Sequence, residues 1–225
     1  MKNYFLYFLL LVYVFNCYSV KAQDINRMNT HIACHFNTGI SYNNLVFVND
    51  FIKDNFNDEV YFNKPNYFKG LGLALSFRRI VHELTFNHFK TISTVSSSKN
   101  YSLNGNAISY LFLYDIHQTD KINWKTLIGV GNISYTLLAE NKVALNSFNM
   151  LATNIDCWSL SVGSEFRFDP KIIKEKKGIG TYLGIRLQYN LYIGSSQWSK
   201  APVSNTSPPN FQSGYFQCGL VVGIY

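Results

Sequence analysis

GIGTYLGIRLQYNLYIG, residues 178–194, alternates without a slip. Ile179, Thr181, Leu183, Ile185, Leu187, Tyr189, Leu191 and Ile193 form one set. Gly180, Tyr182, Gly184, Arg186, Gln188, Asn190, Tyr192 and Gly194 form the other. On a β-strand the two sets point to opposite faces, so one face is apolar and the other carries glycine, amide, phenol and guanidinium. Strands of soluble domains are usually about 5–6 residues long. A tilted strand crossing a bilayer needs about 9–11 residues in the hydrocarbon and often projects beyond it.

Seven further stretches alternate. They are HIACHFNTGISY (31–42), FKGLGLALSFRR (68–79), VHELTFNHFKT (81–91), NAISYLFLYDI (106–116), INWKTLIGVGNISYTLL (122–138), CWSLSVGSEFRF (157–168) and GYFQCGLVVGIY (214–225). On the second, Leu71, Leu73, Leu75 and Phe77 oppose Gly70, Gly72, Ala74, Ser76 and Arg78; on the sixth, Trp158, Leu160 and Val162 oppose Ser159, Ser161 and Gly163. The fifth, apolar on both sides in part, alternates least well. Long connections (43–67, 92–105, 139–156, 195–213) take turns with short ones (around 79–80, 117–121, 169–177). An up-and-down barrel crossing an outer membrane sorts its loops in this way. Hydrocarbon offers no hydrogen-bond partner, so such a sheet must join its own edges.

The spacing therefore predicts an all-β fold: a closed, eight-stranded, antiparallel up-and-down transmembrane β-barrel. Its interior would be just filled by side chains. The polar parity supplies the filling, and Arg78, Glu83, Glu165, Arg167 and Arg186 are expected to pair there. Pairing offsets the desolvation of a buried charge. A soluble, lipocalin-like barrel would show the same alternation turned inside out. Three features select the membrane: the polar parity is rich in glycine and poor in lysine; Tyr42, Tyr67, Tyr110, Trp124, Trp158, Tyr189 and Trp198 recur near strand ends; and the chain ends on an aromatic, Tyr225.

The N-terminus, MKNYFLYFLLLVYVFNCYSVKAQ, has Lys2, a short apolar run and Val20-Lys21-Ala22. This is the layout of a signal peptide, so residues 1–22 are expected to be cleaved between Ala22 and Gln23, leaving a single domain over 23–225. Asn16 before Cys17 argues against lipidation. Without Lys2 and Lys21, 18 basic residues face 13 acidic ones. That excess forms no basic stripe with interleaved aromatics, so no nucleic-acid partner is expected. Cys34 and Cys218 fall on the first and last strands, and both a bond and two free thiols remain open there.

Signal peptide, eight strands, loop rhythm and terminal aromatic resemble the small outer-membrane β-barrel proteins of the OmpA/OmpX type. The Asn-, Lys-, Tyr- and Phe-rich style resembles the PorT-like outer-membrane proteins. The resemblance implies a bacterial outer-membrane location and insertion by the barrel-assembly machinery, which would read Tyr225 as an assembly signal.

Chemistry is sparse. His31 and His35 would lie about 13 Å apart along one strand, too far to share an ion. No histidine stands beside a candidate nucleophile in sequence, whereas a hydrolytic site needs the two within hydrogen-bond reach. No cofactor, metal or catalytic residue is expected. The expected partners are outer-membrane lipid and a protein docking on the long loops, where Phe51, Phe56, Tyr61 and Trp198 either form a binding surface or fold over the barrel mouth. The expected function is a non-catalytic scaffold for adhesion, membrane integrity or docking. The alternatives are an accessory of a secretion apparatus, as the PorT-like resemblance implies, and a lipid-modifying barrel hydrolase.

Overall fold

The computed structural model describes residues 30–43, 45–60, 62, 65–90, 93–95, 99–118, 122–141, 151–168, 180–200 and 214–224. Residues 1–22, the Ala22–Gln23 junction and Tyr225 lie outside them. Eight strands follow in order: β1 (Thr30–Asn43), β2 (Asn66–Phe77), β3 (Ile80–Lys90, resuming at Ser93–Val95), β4 (Lys99–Gln118), β5 (Ile122–Asn141), β6 (Leu151–Phe168), β7 (Thr181–Lys200) and β8 (Tyr215–Ile224). One helix, α1 (Val46–Phe56), lies between β1 and β2. Each strand pairs antiparallel with the next, and β8 pairs back onto β1 from Cys34↔Ile224 to Asn43↔Tyr215. The ring of hydrogen bonds is complete.

The two parities face as the alternation requires. Leu71 is 63% exposed on the outside, whereas Glu83 is 0% exposed within. Ile32, Phe36, Ile108, Ile128, Ile185 and Leu220 belong to the same outward belt. On β8 the outward set is Phe216, Cys218, Leu220, Val222 and Ile224, so Gly219 and Gly223, the parity that Tyr225 shares in sequence, face in.

Cys34 and Cys218 are both free. Cys34 stands opposite Ile224 and Cys218 opposite Ile40, six positions away along β1. At about 3.4 Å per residue no bond spans that gap.

Two expectations need correction. First, β4, β5 and β7 reach 20 residues and β6 reaches 18, mostly by growth at the end where α1 lies. As a result the connection at 142–150 is shorter than that at 169–180, and the loop rhythm fails at this pair. Part of what read as long loops is strand: 93–95, 99–105, 139–141, 151–156 and 195–200. Second, the first connection carries a helix.

The extra strand length differs in polarity. Lys69, His88, Asn106, Ser134 and Asp156 pair one with the next across β2 to β6 and form an outward polar row. Beyond it the outward residues are Asn104, Thr136 and Asn154, while Leu103, Tyr135, Leu137 and Ile155 point in. On β4 to β6 the outward parity is mainly apolar below the row and mainly polar above it, while the inward parity turns apolar above it; β1 and β2 keep Ile40, Tyr42 and Tyr67 outward and Ser41, Asn43 and Asn66 inward beyond Thr38 and Lys69. This reversal is why β5 looked apolar on both sides.

Candidate functional site

The interior is stratified, and its central layer is ionic. Arg186, inward on β7, donates from Nη1 to Glu83 Oε1 at 2.6 Å and from Nη2 to Glu83 Oε2 at 2.9 Å. Its Nε donates to Glu165 Oε2 at 2.6 Å. Glu83 comes from β3 and Glu165 from β6, so one guanidinium ties three strands across the lumen. Planar forks suit such bidentate work, which an ammonium cannot copy. Arg167 bonds Glu165, and its Nη2 lies 3.6 Å from Glu83 Oε2. Its guanidinium also sits 4.3 Å from the ring centre of Tyr182, a cation–π contact. His35 Nε2 stands 3.3 Å from Glu83 Oε1.

Four of the five residues expected to pair therefore meet: Glu83, Glu165, Arg167 and Arg186. Arg78 does not. It is exposed in the Arg78–Arg79 turn that joins β2 to β3, with φ 55°. The chain has already left the sheet at Phe77, so strand parity no longer governs its direction.

Sequence reasoning missed several members. His35 and Tyr182 lie on inward parities that could have named them. Gly72 and Gly223 give them room. A Cβ on Gly72 would meet His35 Nε2 at 2.1 Å, and one on Gly223 would meet the Tyr182 ring at 2.3 Å. Lys125 and Asp115 form a buried pair at 2.6 Å; the weak alternation of β5 hid Lys125, whereas Asp115 lies on the inward parity of β4.

Above the charges lies a layer of amides and hydroxyls. Ser161 Oγ and Gln188 Nε2 each donate to Asn190 Oδ1 at 2.6 Å. Asn190 Nδ2 then donates to Gln217 Oε1 at 3.1 Å. Higher still, Asn43 Nδ2 donates to Tyr135 Oη at 3.2 Å, and Tyr135 Oη lies 2.8 Å from Tyr192 Oη.

Helix α1 closes the mouth. Leu45, Val48, Phe51 and Ile52 recur at helical spacing and pack into one apolar cluster with Tyr101, Leu137 and Ile155. Asn57 ends the helix in the left-handed region, its N–H bonding Lys53 O at 3.0 Å. Past the helix, Phe62 N–H donates to Asn49 Oδ1 at 2.9 Å. Tyr101 Oη donates to Asp58 Oδ2 at 2.5 Å. Tyr101 lies above the apolar belt, and burial, with the Asp58 acceptor adding to it, pushes its phenol well above the usual range. It stays a neutral donor. Phe51 and Phe56 are thus folded over the mouth; Tyr61 and the side chain of Trp198 lie outside what is described.

No family model and no curated protein matches the chain. Among solved structures the barrel is similar to Neisserial surface protein A: 9% identity, TM-score 0.43, covering 87% of this chain and 97% of that one. The ring of strand pairings, not this distant likeness, establishes the fold.

Proposed function

We propose that the protein is a non-catalytic bacterial outer-membrane barrel, exported with residues 1–22 as signal peptide, that passes no solute and holds a rigid outer end clear of the lipid. One observation carries this reading: a closed ring of strands is apolar outside and holds an ionic layer inside, and on β4 to β6 the outward face turns polar beyond one row. A contiguous apolar surface of this size is not compatible with water. Ionic residues inside a ring whose outside is apolar fit a wall of hydrocarbon.

A strand of 20 residues tilted by about 40° rises about 50 Å, twice the roughly 25 Å apolar band of such barrels. The outer half would therefore stand beyond the hydrocarbon as a dome sealed by α1, suited to adhesion or docking of a partner. Glu83 and Glu165 are saturated by arginine, whereas a general base must be free to reach a substrate proton.

The test combines fractionation with electrophysiology. The protein is expected in the outer-membrane fraction, and the purified barrel is expected to show no conductance steps in a planar bilayer. Recovery in the soluble fraction would overturn the location; sustained steps would overturn the seal.

A further inference from the structure

A cavity of about 10 Å³ lies in the amide layer, lined by Asn37, Asn87, Gln188, Gln217 and the Arg186 side chain among others. That is about the room one water's centre needs. Three buried polar atoms of its lining, Asn37 Oδ1, Asn87 Oδ1 and Gln217 Nε2, make no hydrogen bond to another described protein group. Asn37 and Gln217 are each 4% exposed.

The direction of the network fixes what is left over. Asn190 Oδ1 already accepts from Ser161 and Gln188, so its Nδ2 must face Gln217 Oε1. Gln217 Nε2 is then turned away as a spare donor. The two asparagine oxygens both crowd the space over Gly70: a Cβ placed there would lie 2.1 Å from Asn87 Oδ1 and 2.4 Å from Asn37 Oδ1. The remainder is two acceptors and one donor around a hole of one-water size. A water has two protons to give and lone pairs to receive, which matches that set.

We propose that one water molecule is a built-in ligand of the barrel, donating to Asn37 Oδ1 and Asn87 Oδ1 and accepting from Gln217 Nε2. It completes the amide layer directly above the Arg186 guanidinium. Glycine at position 70 leaves room for both asparagine oxygens. This inference concerns the lumen alone and holds wherever the barrel resides.

The test is a high-resolution crystal structure of the detergent-solubilised protein, grown with rubidium chloride as the salt. The expected result is one density peak about 2.7–3.2 Å from all three atoms, with no rubidium anomalous signal. No peak, a direct Asn37–Asn87 amide bond after one side chain flips, or rubidium at that point would each overturn the proposal. In Asn87→Leu, or in Gln217→Leu should the first variant not fold, the peak is expected to vanish. Its persistence at the same place would overturn the three-point assignment.

Discussion

Arg186 is the side chain on which the ionic layer depends, because it neutralises two carboxylates that come from strands on either side of the lumen. Arg186→Met removes one partner and leaves Glu83 and Glu165 competing for Arg167. Truncating one member of a buried pair typically costs about 3–5 kcal/mol, and urea unfolding in lipid vesicles should report a loss of that size. On the outside, facing decides the sign of an arginine. Ile185→Arg and Leu187→Arg should each cost about 2–4 kcal/mol in the same assay if they sit at mid-bilayer, against about 0–1 kcal/mol for Thr136→Arg above the polar row. Equal tolerance at all three positions would contradict the belt. Glu83, Glu165, Arg167 and Arg186 were legible in the sequence because strand parity sorts side chains with no knowledge of partners. Arg78 was misread because parity was extended one residue past the last residue in the sheet. His35 was passed over because the histidines were weighed as metal ligands rather than as neighbours of Glu83.

At the scale of elements, the outer halves of β4, β5 and β6 were the least legible. The parity that is apolar lower down carries asparagine, serine and threonine above the row, so the alternation fades there. α1 was legible in principle. Leu45, Val48 and Ile52 stand at i, i+3 and i+7, the stripe of an amphipathic helix, but the surrounding Asn and Asp made the stretch read as a loop. Its energetic weight can be measured. Ile52 is fully buried, and Ile52→Ala should cost about 2–5 kcal/mol. Replacing α1 by a Gly-Ser linker should leave conductance at zero, because the ionic and amide layers still fill the lumen. Current through that variant would place the whole seal in the helix. The strand register makes a further forecast: Cys34 and Cys218 stay reduced, so gels with and without reductant should show the same band, and a faster band without reductant would refute the register.

For the whole molecule, closure predicts that unheated and boiled samples migrate differently, since detergent alone does not open a ring of hydrogen bonds with no free edge. Identical migration would deny the closure. The fold class was legible because one simple rule, apolar outward at every second residue, recurs on all eight strands. The outer ends of β4 to β6 were not, because the outward parity turns polar there and the rule no longer holds.

The seam between β1 and β8 sets an order on biogenesis. Thr30–Asn43 finds its second barrel neighbour in Tyr215–Ile224, the eighth strand of the ring. No intermediate can shut before that strand is made, and contacts this distant in sequence form slowly. Until then the sheet is an open strip, and losing even that strand would leave it with two raw margins.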